Sequence, residues 1–326
     1  MRHSISRALS RRLGGAVVAV TTVAVTAAAP VAAAPVARVG RTVDLAVRTE
    51  LVQQTPGTTD TQQVTVTNQG ERTTGGSLLT YVTPPYTNID RDAPLPDGCT
   101  MRYQNLDPAL PEVVTCVVPA GLGQGEDRTF SMPLAVTSRA RLSGLIRGGV
   151  SVAPCPGSAD TEANLNDNWI AAYLSLTRPT PPVPEGNRTG LYLAPAFPPV
   201  SKDGTAESTL TYGNVGPSAT TGEVRIVAVT PFAFNVDRQQ PLPDGCALAL
   251  EDAFLGTPEI VVCDLPPLDV DEQRELRLPL RAATGAPPVG LVFNPALIAP
   301  VSGQDVEADQ GDNVSTLGVQ VPSRHA

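Results

Sequence analysis

The sequence is nearly empty of histidine: His3 stands near its start, His325 near its end, and none lies between. A histidine-based triad or histidine metal centre in the body of the chain is therefore excluded. Aromatic residues make up only 4%, and Trp169 is the single tryptophan. The core must then be built from Val, Leu, Ile and Ala, and a sugar-binding module would have few rings to stack on. Lys202 is the only lysine, so arginine carries almost all the positive charge. Nucleophile elbow, phosphate loop and metal-hydrolase motif are all missing. Acid pairs such as Glu126-Asp127 and Glu251-Asp252 read as solvated turn residues. A carboxylate-only glycosidase stays open to the sequence; its sign would be a cleft with two facing carboxylates, and a small sandwich offers no obvious one. The expectation is a protein without catalysis and without a required cofactor.

What is plentiful is proline (33) and glycine (28) in 326 residues, which suits many short strands joined by turns. That length has room for about two ordinary domains. Residues 1–33 read as a secretory signal peptide, with Arg2, Arg7, Arg11 and Arg12 ahead of an apolar stretch at 13–25 and small residues after it. The stretch is shorter than the roughly 20 residues that span a bilayer, and no second such run follows. Setting the four leader arginines aside leaves 19 basic against 32 acidic residues. An acidic surface repels phosphate backbones and anionic lipid, so nucleic acid and membrane are not the expected partners.

The chain writes one phrase twice. Pro94-Leu95-Pro96-Asp97-Gly98-Cys99 returns as Pro241-Leu242-Pro243-Asp244-Gly245-Cys246, 147 positions later. Around it, Val82-Thr83-Pro84, Ile89-Asp90-Arg91 and Pro111-Glu112-Val113-Val114-Thr115-Cys116 answer to Val229-Thr230-Pro231, Val236-Asp237-Arg238 and Pro258-Glu259-Ile260-Val261-Val262-Cys263. A period this long is that of a whole domain. Repeat 1 is placed at 42–178 and repeat 2 at 188–321. Alternating, β-branched segments are expected at 43–47, 64–67, 78–83, 113–118, 130–136, 144–152 and 169–176. In repeat 2 they are expected at 209–213, 223–230, 259–263, 276–280, 289–299 and 316–321. The fold class is all-β: two tandem immunoglobulin-like sandwiches. The proline-rich stretch 179–187 between them predicts a stiff polyproline spacer holding the two apart like beads on a rod. Asn187-Arg188-Thr189 matches a glycosylation sequon.

Asn214-Val215-Gly216-Pro217-Ser218-Ala219, Asn68-Gln69-Gly70 and the endings Asn164-x-x-Asp167-Asn168 and Asp309-x-x-Asp312-Asn313 carry a resemblance. The chain resembles, over nearly all of both repeats, the bacterial "domain of unknown function eleven" repeats, relatives of the CARDB cell-adhesion-type domains. The resemblance implies sandwiches strung along secreted or wall-associated proteins, with no catalytic residues to carry over. Two departures stand out: the paired cysteines are unusual there, and Glu71-Arg72 stands where Pro-Ser is common.

Cys99 with Cys116, and Cys246 with Cys263, share one spacing and read as one disulfide per repeat in an oxidising compartment. Two cysteines without a nearby histidine cannot complete a zinc site. Cys155 is left over; its counterpart is Val301, so an apolar, partly buried setting is expected. Asp160, Glu162, Asn164 and Asp167, answered by Asp305, Glu307, Asp309 and Asp312, offer oxygen ligands that would suit calcium. The competing reading has them capping the turn into the last strand through side-chain to backbone bonds. Tyr81, Pro84, Pro85 and Tyr86 are the best candidates for exposed contact, unless that turn packs against its own disulfide. Tyr173 and Tyr192 fit core positions. These features point to a secreted, non-catalytic structural or adhesive module with a cell-wall or extracellular protein partner. The alternative is a carbohydrate- or calcium-dependent binding protein.

Overall fold

The structure, a computed structural model, describes residues 40–104, 109–141, 143–155, 158–177, 185–251, 258–283, 289–307 and 309–323. Among them are strands and turns and no helix. The leader and the stretch 178–184, on which the signal-peptide and spacer expectations rest, lie outside the described residues.

Repeat 1 contributes β1 (Thr42–Val43), β2 (Leu45–Thr49), β3 (Val52–Gln54), β4 (Thr59–Asn68), β5 (Ser77–Val82), β6 (Thr87–Ile89), β7 (Cys99–Tyr103), β8 (Val113–Val118), β9 (Asp127–Val136), β10 (Gly144–Pro154), β11 (Thr161–Glu162) and β12 (Trp169–Leu176). Repeat 2 contributes β13 (Asn187–Thr189), β14 (Leu191–Ala196), β15 (Thr205–Asn214), β16 (Val224–Val229), β17 (Phe234–Val236), β18 (Cys246–Leu250), β19 (Ile260–Leu265), β20 (Gln273–Ala282), β21 (Gly290–Pro300), β22 (Asp305–Glu307) and β23 (Val314–Val321). Every strand expected from the alternation is there. The short edge strands β3, β6, β7, β14, β17 and β18 were not expected, because three to six residues carry too little pattern to show a period.

Each repeat is a two-sheet sandwich. In repeat 1 a sheet ordered β2-β4-β9-β6 faces one ordered β3-β12-β10-β5-β8-β7. In repeat 2 the sheets are β14-β15-β20-β17 and β18-β19-β16-β21-β23. Alternation builds the core. On β4, Val64 and Val66 point inward beside Phe130, Met132 and Leu134 of β9, while Thr65 and Thr67 point outward. Leu210, Leu276 and Leu278 do the same for repeat 2, opposite Ile226 and Val261.

The beads-on-a-rod expectation fails. Both repeats belong to one compact unit, Val39–Ala326. One apolar cluster holds Val82 and Val113 of repeat 1 together with Val227, Val229, Ile260 and Leu297 of repeat 2. On their own strands these side chains alternate with the core residues Tyr81, Val114, Ile226, Ala228, Val261 and Ile298, so they point out of their sandwiches. A free sandwich would show them to water. Fully burying each such side chain contributes about 1.5–3 kcal/mol, a drive that a short spacer does not oppose.

Candidate functional site

The repeated phrase builds a turn and a staple. Cys99 N donates to the Pro96 carbonyl at 3.0 Å, and Cys246 N to the Pro243 carbonyl at the same distance. Gly98 and Gly245 both sit at φ 80° in these turns, a conformation that strains any residue with a Cβ. The turns deliver Cys99 opposite Cys116 across β7 and β8, and Cys246 opposite Cys263 across β18 and β19. Both pairs are disulfide-bonded, 17 residues apart. Each bond pins an edge strand to its neighbour within one sheet.

The flanking Thr, Arg and Glu of the phrase form a second device. Glu112 is fully buried immediately ahead of β8. Its carboxylate accepts from Ile89 N at 2.8 Å and from the Arg91 guanidinium. Its own N–H donates to Thr83 Oγ1 at 2.9 Å. Repeat 2 reproduces every bond: Val236 N and Arg238 donate to Glu259, and Glu259 N donates to Thr230 Oγ1 at 2.8 Å. A buried carboxylate is tolerated because these donors replace its water. The polar letters of the motif thus lock the loop between the sheets.

The residues that carry the family resemblance are structural in the same sense. Asn68 is fully buried; its Nδ2 donates to the Glu71 and Leu122 carbonyls, and its Oδ1 accepts from Gly70 N and Asp44 N. Asn214 does likewise, donating to Ser218 and accepting from Gly190 N and Gly216 N. An amide saturated in this way stitches three loop segments together.

The acidic segments are spread along the chain, their oxygens aimed at nearby donors. Asp160 accepts from Thr74 N at 2.8 Å, Gly75 N at 2.9 Å and the Thr74 hydroxyl. Burial works against its charge, but these donors win and hold its pKa down at about 2. Asp305 repeats the arrangement with Thr221 N and Oγ1, both at 2.9 Å, and with Asn187 Nδ2 at 2.8 Å. Glu162 accepts from Leu45 N and Glu307 from Leu191 N. Burial raises the pKa of both carboxyls, that of Glu307 to about 7. Asn164 Oδ1 accepts from Asn166 N, and Asp309 Oδ1 from Gly311 N. The backbone carbonyls of Asp167 and Asp312 accept from Val47 N and Leu193 N. The segments also lie alongside the first strand of each repeat in parallel pairs, β1 with β11 and β13 with β22. Among the described residues no three Asp, Glu, Cys or His side chains converge to hold a metal ion. The amide of Asn187, in the sequon, is committed to Ala219 and Asp305.

Tyr81, Pro84, Pro85 and Tyr86 are all buried, so of the two readings of this turn the packed one holds and the exposed contact loop does not. Tyr81 donates from its hydroxyl to Gln62 inside the core, and Tyr86 joins the cluster shared with repeat 2. Tyr173 is 39% exposed, where a core position was expected. Tyr192 is half-buried and bonded to Gln273. Cys155 is a half-buried thiol whose pKa is raised by burial, whereas its counterpart Val301 is exposed.

The largest feature the sequence reading missed is the seam between the repeats. Trp169 packs edge-on against Phe293 at 4.7 Å and against Phe232 at 6.0 Å, both in repeat 2. Arg147 lies over the Phe293 ring. At the seam's ends, Arg141 N donates to Gln310 Oε1 at 2.6 Å, and Val289 N donates to Asn166 Oδ1 at 2.8 Å. A signal for this was present. Ile226-Val227-Ala228-Val229 and Ile260-Val261-Val262 are continuous apolar runs, the mark of strands buried on both faces.

No protein family matches this sequence, and no curated protein does. Among solved structures the chain is similar to native Escherichia coli alpha-2-macroglobulin at 14% identity, covering 87% of this chain and 17% of that one, TM-score 0.23. It is similar to red sea bream transglutaminase at 14%, covering 86% and 31%, TM-score 0.22. Yersinia pseudotuberculosis adhesin InvE matches at 12%, covering 85% and 58%, TM-score 0.20. The chain therefore spans less than two thirds of each of them. Scores this low carry no argument, and the all-β architecture rests on the strands themselves.

Proposed function

We propose that this chain is a secreted, non-catalytic structural or adhesive module of the tandem-repeat type, binding a protein or envelope component outside the cell. The observation that supports it is the fate of the motif chemistry. The buried acids Glu112 and Glu259, the capping acids Asp160 and Asp305, and the amides Asn68 and Asn214 are all engaged in holding loops. What the repeats share is a scaffold. Two disulfides favour an oxidising compartment. No helix among the described residues is long and apolar enough to cross a membrane. The experiment is co-sedimentation of the disulfide-intact protein with purified envelopes of its own cells, with calcium or with EDTA. Pelleting that survives moderate salt is expected. Protein that stays in the supernatant throughout removes the envelope as its target, and loss of pelleting in EDTA transfers the reading to calcium-dependent binding.

A further inference from the structure

The seam has the form of a two-fold interface built from unequal halves. Val82 and Val113 share a cluster with their own counterparts, Val229 and Ile260. β10 and β21 are equivalent strands of equal length, each running from a glycine to a proline. Counting along them, Arg147 answers to Phe293, Gly148 to Asn294 and Gly149 to Pro295. Arg147 therefore stacks on its own counterpart. The end contacts are reciprocal as well. The segment before β10 reaches the acidic segment of repeat 2 at Gln310, and the segment before β21 reaches that of repeat 1 at Asn166. This is the isologous pattern of a symmetric dimer, here within one chain.

The symmetry is broken where it matters for fit. A Cβ on Gly149 would lie 2.2 Å from Asn294 Oδ1 and 3.1 Å from the Phe232 ring, so the glycine is a notch that receives repeat 2. Asn294 is fully buried and its Nδ2 is held by the Thr230 carbonyl at 2.7 Å, so it cannot swing aside. Two repeat-2 faces would bring Asn294 and Pro295 against their own kind with no notch to receive them. Two repeat-1 faces would set Arg147 against Arg147 across a gap. Both are repulsive elements against the wrong pairing.

We propose that the two outer faces are a matched recognition pair: a repeat-1 face binds a repeat-2 face without help from the connecting chain, and neither binds its own kind. In the intact chain the partner that fits each face is the complementary repeat of the same chain.

The test starts from the full, disulfide-intact protein carrying a site-specific protease sequence within 178–184, cut after folding and followed by size exclusion with light scattering. The two pieces of the otherwise unaltered chain are expected to travel together at the mass of the uncut protein. Gly149→Val fills the notch, and its pieces are expected to separate. Phe293→Arg changes a half-buried seam residue, sets two arginines face to face and is also expected to separate the pieces. Adding Arg147→Glu to that variant restores an attractive pair and is expected to bring them back together. Near-UV dichroism of the uncut variants checks that each repeat has kept its packing. Separation of the unaltered pieces, their re-sorting into like-with-like dimers, or full retention in both single variants would overturn the proposal.

Discussion

Repeat 1 and repeat 2 share a frame but fill it differently. In repeat 1, Gln62 is buried; it donates to the Glu50 and Tyr173 carbonyls and accepts the Tyr81 hydroxyl at 2.7 Å. Ser208 stands at the matching place in repeat 2 and makes one bond, to the Gly318 carbonyl at 2.8 Å. Gly318 answers to Tyr173, and Phe197 lies over it so closely that a Cβ there would fall 2.7 Å from its ring. Ala228 answers to Tyr81. The turn, the disulfide and the Thr–Glu–Arg lock are the same in both. Loop geometry is thus fixed by a few polar letters, whereas the core accepts any filling of the right volume and saturation.

The comparison breaks first at the lock. Glu112→Ala and Glu259→Ala each leave an arginine and a backbone N–H without their buried acceptor. Each is expected to cost about 3 kcal/mol, at the lower end for a buried pair because the arginines are partly exposed. Chemical denaturation of the two variants should give nearly equal losses. A large inequality would show that the locks are alike only in outline. The disulfides come next: replacing Cys99 and Cys116, or Cys246 and Cys263, with serine removes a 17-residue closure worth roughly 3 kcal/mol in the chain-entropy model.

Core filling should separate the repeats. Tyr81→Phe strands Gln62 Oε1 in the core and is expected to cost about 1–3 kcal/mol. Ser208→Ala strands one carbonyl and is expected to cost about 1 kcal/mol. Equal losses in thermal melts would remove the contrast. A further contrast is a pH dependence. The folded pKa of Glu307 is raised by burial to about 7, above its unfolded value of about 4.3. Its contribution is therefore complete below the unfolded value and is lost as pH rises toward 7. Glu307→Gln should gain on the parent in melting temperature at pH 8 and show no gain at pH 4. Asp160 has the opposite sign: its pKa is held at about 2, so its contribution is lost as pH falls below the ordinary carboxylate range.

Much of this was legible in the residues. Identical spacing announced the disulfides, and alternation announced the long strands. The acidic segments were harder, because a carboxylate beside a backbone N–H and one beside a metal are the same letters. Asp160 and Asp305 find their backbone donors at Thr74 and Thr221, more than eighty positions away. The seam was hardest. Val82 and Val113 are ordinary strand residues until a second sheet covers them, and a stretch of prolines suggested separation. The apolar run at 226–229 was the legible counter-signal.

The most direct measurement uses the one tryptophan the chain supplies. Trp169 sits between Phe232 and Phe293 at the seam, so its emission reports docking of the two repeats and little else. Fluorescence and acrylamide quenching of the intact, disulfide-bonded chain should show a blue-shifted, protected ring, with a red shift and faster quenching in Gly149→Val. If the intact chain already emits and quenches as a water-exposed tryptophan, with no change in the variant, the repeats are not docked and the account of the seam is wrong.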